Sequence, residues 1–232
     1  MHPIISCIVP CFNSRAYVAE ALDSIFAQTY RPIEVIVADD GSTDGTLEVL
    51  RRYPEIAAVT QPDRGPAATR NLGLRRAAGE LVAFLDADDL WHPDKLTRQY
   101  QCFVDDPELQ YCVTHAQMFW SADLDDERDR LADHPRSHAV PGYATTTLLA
   151  RRCVFDRIGL FDERLRFGDA VEWFIRASEA NLKMMVLDEV LTYHRMHDSN
   201  LTRRQSDESR KEFLAIVRGM LLRKSGREAK SR

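Results

Sequence analysis

The first 90 residues alternate between short apolar runs and amphipathic segments, and this order constrains the fold more than any other feature of the sequence. Strands are predicted where the runs are continuous and apolar, as in sheets covered on both faces: Ile4–Val9, Ile33–Ala38, Ala57–Thr60 and Leu81–Leu85. Helices are predicted between them, at Ala16–Thr29, Asp44–Tyr53 and Pro66–Ala78. The resulting β-α-β-α-β-α-β order is typical of an α/β fold whose central, mostly parallel sheet is flanked by helices.

The remainder of the chain is less regular. Helices are predicted at His92–Asp105, Asp169–Ala180 and Phe213–Arg223, and strands at Tyr111–Trp120, Thr145–Ala150, Met184–Leu187 and Leu191–Arg195. The polar stretch Ser121–Pro141 is predicted to be a loop, which is either functional or disordered.

Acidic residues follow two of the predicted strands, in the segments Asp39-Asp40-Gly41-Ser42 and Asp86-Ala87-Asp88-Asp89. Ligands of open parallel sheets bind beyond the carboxyl ends of the strands, so these segments should converge on one site. Carboxylates that converge repel one another, and a divalent cation removes that repulsion. In an extended segment Asp86 and Asp88 face the same way, and their oxygens suit Mn²⁺ or Mg²⁺.

Several other classes of protein are a poor fit. No G-x-G-x-x-G follows the first strand and no G-K-[ST] occurs, which argues against dinucleotide-dependent hydride transfer and P-loop hydrolysis. The formal net charge of −5 argues against an extended nucleic-acid interface.

The sequence also favours a cytoplasmic protein. No apolar run approaches the roughly 20 residues that span a bilayer, and no signal peptide is evident. The 5 cysteines are odd in number and lack zinc-ligand spacing, which suits reduced thiols. The basic residues of 203–232 predict a solvated helical tail, with a weak attraction to anionic lipid or to an anionic partner as the alternative.

Four motifs in the first half occur together and in order. They are Ile8-Val9-Pro10-Cys11-Phe12-Asn13, Val37-Ala38-Asp39-Asp40-Gly41-Ser42-Thr43-Asp44, Ala68-Thr69-Arg70-Asn71-Leu72-Gly73 and Phe84-Leu85-Asp86-Ala87-Asp88-Asp89. Through them the chain closely resembles the family 2 glycosyltransferases, which have the GT-A fold. The second half matches more loosely, through Gly159-Leu160-Phe161-Asp162-Glu163 and Tyr193-His194-Arg195-Met196-His197.

The resemblance implies roles for these motif residues. Binding of the nucleotide-sugar donor falls to Pro10, Phe12, Asn13, Asp39, Arg70, Asp86 and Asp88. Within this set, Asp39 would bind the base, commonly uracil in the family, and Arg70 would help to hold the nucleotide. Asp88 would bind Mn²⁺ or Mg²⁺ on the diphosphate, and Asp86 would contact the ribose or a metal-bound water. His197 would approach the metal or the diphosphate, with a structural role as the alternative.

The match breaks at the general base, which inverting members need to deprotonate the acceptor. Aligned on Glu172-Trp173 and Arg176, the usual base position holds Ala170. Asp169 and Glu172 lie on one face of the predicted helix, and either could be the base; Asp169 is preferred. Alternatively Asp169 caps the helix and Glu172 pairs with Arg176.

Together these features predict one GT-A-like domain over residues 1–232: a donor-binding half at 1–100, an acceptor side at 101–202 and a basic helical tail at 203–232. The predicted reaction is an inverting, Mn²⁺- or Mg²⁺-dependent transfer from a nucleoside-diphosphate sugar, preferably a UDP-sugar. The acceptor stays open among glycan, lipid-linked glycan, peptide and small molecule. Two alternatives remain: a homologue that binds the donor with weak or lost catalysis, and a nucleotidyltransferase.

Overall fold

The computed structural model describes residues 2–121, 124–131, 133–134, 137–204 and 206–230, and these form a mixed sheet with helices packed on both faces. The strands are β1 (Ile5–Cys11), β2 (Ile33–Asp39), β3 (Ile56–Thr60), β4 (Leu81–Phe84), β5 (Leu90–Trp91), β6 (Tyr111–Trp120), β7 (Val140–Pro141), β8 (Leu149–Arg151) and β9 (Met184–Met196). The helices are α1 (Val18–Phe26), α2 (Thr46–Leu50), α3 (Pro66–Arg76), α4 (Lys95–Asp105), α5 (Asp125–Arg130), α6 (Cys153–Ile158), α7 (Asp169–Glu179), α8 (Leu201–Arg204) and α9 (Ser206–Lys230).

The strands follow the order β3-β2-β1-β4-β8-β6-β9-β5, with β7 paired to β6. β1, β2, β3 and β4 are parallel neighbours, so their carboxyl ends lie at one edge of the sheet. β8 and β5 run antiparallel to their neighbours, whereas β9 is parallel to β6. The predicted α/β sheet with a mostly parallel core is therefore present, and the second half of the chain extends it.

Two apolar clusters cover the two faces of the sheet. α1, α2 and α4 pack on one face, and α3, α6 and α7 pack on the other around the fully buried ring of Trp173. α3 lies unusually close to the sheet, because a Cβ atom at Gly73 would stand 2.3 Å from Cγ2 of Ile8. The lack of a side chain at position 73 therefore allows α3 to lie directly on β1.

Some predicted elements differ from the observed ones. The strand predicted at Thr145–Ala150 begins instead as a 3-10 turn, Thr145–Thr147, before β8. The hydroxyl of Thr147 donates to the carbonyls of Ala144 and Gly142, and such local bonds compete with strand pairing. α2 begins at Thr46 rather than at Asp44, because the carboxylate of Asp44 accepts the backbone N–H groups of Arg15 and Thr46 and so precedes the helix.

The two strands predicted between residues 184 and 195 form one strand, β9. Its pairing with β6 shifts register where Thr114 faces Leu187 and His115 faces Val190, so a bulge takes up the polar residues Asp188 and Glu189. The loop predicted at Ser121–Pro141 contains α5, and its residues 122–123, 132 and 135–136 lie outside the described residues. The last helix begins at Ser206, earlier than the predicted Phe213. Among the described helices, none has the length and apolar content that a bilayer crossing requires.

Candidate active site

The carboxyl ends of β1, β2 and β4 lie side by side, because β1 stands between the other two in the sheet. A backbone hydrogen bond of 2.8 Å from Asp40 N–H to the Cys11 carbonyl joins the segments that follow β1 and β2. The carboxylate of Asp40 then accepts N–H groups of Arg64 and Gly65, at 3.0 and 2.8 Å, and so fixes the loop that leads into α3. The acidic motif after β2 is thus part of the framework around this edge.

Asp39 ends β2 and is almost completely buried. Its Oδ2 accepts the backbone N–H groups of Gly41 and Ser42, at 3.1 and 3.0 Å. Its Oδ1 is buried with no hydrogen-bond partner among the residues that the structure describes. An unpaired buried acceptor costs about 1–3 kcal/mol, so a ligand N–H that reached Oδ1 would remove that cost.

Pro10, Phe12 and Asn13 differ in what they offer a ligand. Pro10 is a half-buried residue of β1, whereas the ring of Phe12 is 49% exposed and is able to stack on a flat ligand. Asn13 adopts a positive φ of 49°, which asparagine tolerates. Its Oδ1 accepts the Thr43 N–H and its own N–H donates to the Ser42 hydroxyl, both at 2.8 Å. Asn13 therefore holds the loop after β2 in place.

Arg70 bridges two carboxylates from opposite halves of the chain. Its Nη1 lies 2.7 Å from Asp169 Oδ2, and its Nη2 lies 2.9 Å from Asp86 Oδ1. Burial alone would lower the pKa of Arg70, but the charges of Asp169 and Asp86 raise it above its ordinary value, so the guanidinium stays positive. Removing one partner of such a buried pair typically costs about 3–5 kcal/mol.

The bridge involves Asp169 and not Glu172. The carboxylate of Glu172 accepts hydrogen bonds of 3.0 and 2.8 Å from Nε of Arg176, four residues later. Arg176 also donates to the carbonyl of Leu160 at 2.7 Å, which ties Glu172 to the loop after α6. Ala170 packs against the apolar cluster around Trp173. Gly168 is the N-cap of α7 and Asp169 is its first residue, so the capping alternative does not describe Asp169.

Asp88 meets His197, which lies 109 residues later in the chain. Asp88 Oδ2 is 2.9 Å from Nε2 of His197 and 3.3 Å from Nδ2 of Asn200. Burial alone would raise the pKa of Asp88, but the hydrogen bond from His197 and the charges of His194 and His197 lower it below its ordinary value. Asp88 is therefore held as a carboxylate.

Asp89 explains why His197 reaches Asp88. It is completely buried, accepts the Arg195 N–H at 3.0 Å and contacts His194 Nδ1 at 2.9 Å. Burial raises the pKa of Asp89, and the charge of Asp89 raises the pKa of His194. Arg195 in turn donates from Nε to the Asp88 carbonyl at 2.9 Å. These contacts fix the end of β9 against the acidic motif.

The segment after β9 is secured by residues that sequence reasoning missed. The His197 N–H donates to Asn200 Oδ1 at 2.8 Å, and the spacing of three residues is the signal that could have indicated this turn. Arg203 in α8 makes two hydrogen bonds to Glu127 in α5, at 2.6 and 2.7 Å. Glu127 and Arg203 are 76 residues apart, and no local pattern links them.

Asp88 and His197 fit a divalent metal ion as a pair of ligands. Their contact atoms are 2.9 Å apart in a hydrogen bond, and an ion bound to both at about 2.1 Å and a right angle would replace that bond at a separation of roughly 3 Å. The carboxylate of Asp86 pairs with Arg70 rather than with His197. Within the described ranges no group of three His, Cys, Asp or Glu side chains could hold a metal by itself. Substrate phosphates and water would complete the coordination.

Comparisons with known proteins identify the family of this chain. The sequence model described as glycosyl transferase family 2 matches residues 6–159. An uncharacterized glycosyltransferase of Rickettsia typhi is 31% identical over 235 residues, which cover 94% of this chain and 72% of that protein. The chain therefore belongs to glycosyltransferase family 2, and this membership sets aside the nucleotidyltransferase alternative.

Solved structures confirm the GT-A type of fold. The mannosyltransferase PcManGT from Pyrobaculum calidifontis, in complex with GDP-Man and Mn²⁺, has a TM-score of 0.65 and 25% identity, covering 86% of this chain and 59% of its own. S. aureus TarS 1–349, in complex with UDP-GlcNAc, has a TM-score of 0.66 and 23% identity, covering 84% and 59%. The chain thus spans less than two thirds of the length of both solved chains.

Proposed function

We propose that this chain is an inverting glycosyltransferase that moves a sugar from a nucleoside diphosphate, preferably a UDP-sugar, to a nucleophilic group of an acceptor. The observation that carries the proposal is the Arg70 bridge, because it joins the strand-end Asp86 to Asp169 of the second half. In a single displacement a base takes the acceptor proton while the acceptor oxygen attacks the anomeric carbon and the diphosphate leaves. The bridge therefore supports the proposal that the base lies next to the donor site.

Asp39 supports the choice of uracil as the base of the donor. Its unpaired Oδ1 is an acceptor, and the ring N–H of uracil is a donor that would satisfy it. The exposed ring of Phe12 would stack on the base. TarS was solved with UDP and with UDP-GlcNAc, whereas PcManGT was solved with GDP-Man, so a direct comparison of donors is needed.

Asp88 and His197 would hold Mn²⁺ or Mg²⁺ on the diphosphate of the donor. The ion, when bound, supplies positive charge that stabilises the leaving nucleoside diphosphate. Asp89 and Arg195 keep the two ligands together by fixing the end of β9. Arg70 adds a second positive charge beside Asp86, where it would hold the nucleotide.

Asp169 is the proposed base. In the structure its carboxylate is paired with Arg70, whose Nη1 occupies Oδ2. If donor phosphates take up part of the hydrogen bonding of Arg70, the Asp169 carboxylate is freed to accept a hydrogen bond from the acceptor hydroxyl. Glu172 is the second choice, because its carboxylate is engaged by Arg176.

The alternative function is donor binding with weak or lost transfer. It is favoured by the position of Asp169, whose side chain is 5% exposed and ion-paired, and by Ala170 at the usual base position. Burial of this kind hinders proton exchange with an acceptor. Such a protein would still bind a nucleotide-sugar through Asp39, Arg70 and Asp88.

Transfer assays on Asp169→Asn and Glu172→Gln separate these possibilities. With UDP-sugars, Mn²⁺ and a panel of acceptors, Asp169→Asn should lower kcat by about 10²–10⁴-fold, the usual contribution of a general base, while UDP affinity persists. Glu172→Gln is the matched control and should retain transfer. Equal rates for wild type and Asp169→Asn would contradict the assignment of Asp169. A wild-type protein that binds UDP but neither transfers nor hydrolyses the sugar would establish the alternative.

The same proposal includes weak peripheral contact of the tail with an anionic membrane. Leu214 and Leu221 on α9 are 66% and 56% exposed and lie two helical turns apart, near the exposed cation Arg218. In a sedimentation assay the wild-type protein should pellet with phosphatidylserine vesicles, and the Leu214→Glu variant should stay in the supernatant. Equal binding to neutral phosphatidylcholine vesicles would contradict an electrostatic attraction.

A further inference from the structure

Helix α7 begins at Asp169 without a side chain that caps it. The preceding residue, Gly168, has no side chain at all, and no side-chain cap bond is formed at this end. Backbone N–H groups at the start of a helix need acceptors, and the positive end of the helix dipole favours a negative charge there. A negative charge from another part of the chain would therefore stabilise the start of the helix that bears the proposed base.

Glu212, in the C-terminal helix α9, brings a carboxylate to the residues directly before this helix. Its Oε1 accepts the N–H groups of Phe167 and Gly168, at 2.8 and 2.6 Å, and its Oε2 accepts the Arg166 N–H at 3.0 Å. One carboxylate, 44 to 46 residues away in sequence, thus fixes three successive peptide groups directly before Asp169.

The helices also pack too closely here for the contact to be incidental. A Cβ atom on Gly168 would lie 2.2 Å from Cδ1 of Ile216, and Ile216 is buried. Met220 lines an apolar cleft together with Phe174 of α7. Glu212, Ile216 and Met220 follow at intervals of four residues, so one stripe of α9 faces α7.

We propose that Glu212 is a positioning residue, which holds the start of α7 so that the Asp169 carboxylate meets Arg70. The inference rests on the proposed function in taking Asp169 as the group that receives the acceptor proton. Glu212 itself touches neither Asp169 nor Arg70 in the bonds described, so it acts through the backbone of residues 166–168. The C-terminal helix is then a part of the active site, although it brings no group to the reacting atoms.

The test compares Glu212→Ala and Glu212→Gln with Glu208→Ala in the full chain. Glu208 is an exposed acid one turn earlier on α9 and serves as the matched control. Loss of positioning should lower kcat of Glu212→Ala by about 10–100-fold, the scale of a misplacement near 1 Å, with KM for the donor within about twofold. Glu212→Gln keeps one carbonyl acceptor and should recover part of kcat, and Glu208→Ala should match wild type.

Hydrogen exchange of the backbone amides 166–168 gives a readout that does not need activity. Exchange should become at least about tenfold faster in Glu212→Ala, because these amides lose their hydrogen-bond acceptor and open more often to solvent. It should stay unchanged in Glu208→Ala. Unchanged exchange would overturn the proposal. Faster exchange with wild-type kcat would also overturn it, because Glu212 would then only stabilise the fold.

Failure of the proposed function is distinguishable from failure of this inference. If the wild type transfers no sugar, a double-mutant cycle in the free energy of unfolding decides whether Glu212 acts through Asp169. Residues that act through one another give non-additive changes, so the variant with both Glu212→Ala and Asp169→Ala should lose less stability than the sum of the two single losses. Additive losses would refute the positioning role.

Discussion

Lys95 lies wholly inside the protein, and replacing it with methionine should alter how stability depends on pH. Its side chain is 0% exposed, and Nζ donates one hydrogen bond of 2.7 Å to Gln99 Oε1 and stands 4.3 Å from the ring centre of Trp91. Burial lowers the pKa of Lys95 from 10.5 to about 7. Lys95 is therefore a cation that the native state disfavours.

The sign and size of the effect follow from proton linkage. Between pH 7 and 10.5 the unfolded chain binds a proton at Lys95 that the native state has lost, so the free energy of unfolding rises with pH. Each pH unit contributes about 1.4 kcal/mol, so the whole interval is worth about 5 kcal/mol. Below pH 7 both states are protonated, and the destabilisation is present in full. From pH 7 to 9 the expected gain is about 2–3 kcal/mol.

Urea unfolding at pH 6, 7, 8 and 9 measures this dependence. The difference between wild type and Lys95→Met should grow by about 2–3 kcal/mol in favour of wild type from pH 7 to 9, because other titrating groups cancel. The unpaired Gln99 oxygen left in the variant adds an offset of about 1–3 kcal/mol that does not vary with pH. Lys211→Met, at an exposed position, should show no such trend. A difference that stayed flat from pH 7 to 9 would refute the reasoning.

Three further outcomes concern the donor site. Asp88→Ala should abolish the increase in UDP affinity caused by Mn²⁺, as measured by calorimetry with and without the ion; an undiminished increase would exclude Asp88 as a ligand. Asp39→Asn should weaken UDP binding by about tenfold at an unchanged melting temperature, because the amide nitrogen no longer accepts a ligand N–H; equal affinity would contradict base recognition by Asp39. Arg203→Gln removes the two hydrogen bonds to Glu127, which help to secure the segment that carries His197, and should lower Mn²⁺-dependent UDP affinity a few-fold. Unaltered affinity would show that this contact is not needed.

The first half of the fold was predictable because its signals are local. Buried parallel strands produce continuous apolar runs, and the acidic segments after β2 and β4 stand where those runs end. Once the sheet is parallel, Asp39 and Asp88 must share an edge. Their position at the carboxyl end of the sheet was therefore predictable without knowledge of any long-range contact.

The partners of these residues were not predictable in the same way. Arg70 and Asp169 are 99 residues apart, and the sequence gives no period or spacing that relates them. The three-residue spacing placed Asp169 and Glu172 on one helix face, but it could not decide between them, because the ion pair of Glu172 with Arg176 is seen only in the structure. The polar residues Asp188 and Glu189 interrupted the apolar pattern of β9, although a bulge accommodates them without ending the strand.

The close approach of α3 to β1 at Gly73 makes the position of Arg70 depend on the sizes of the two side chains that meet there, at positions 8 and 73. Arg70 lies one turn before Gly73 on the same helix, so a methyl group at 73 would push the helix away from Ile8 and draw the guanidinium back from both carboxylates. Substitutions at the buried positions Ile8 and Gly73 should therefore tune the reach of this arginine. A pair of compensating changes in size at these two positions would restore it.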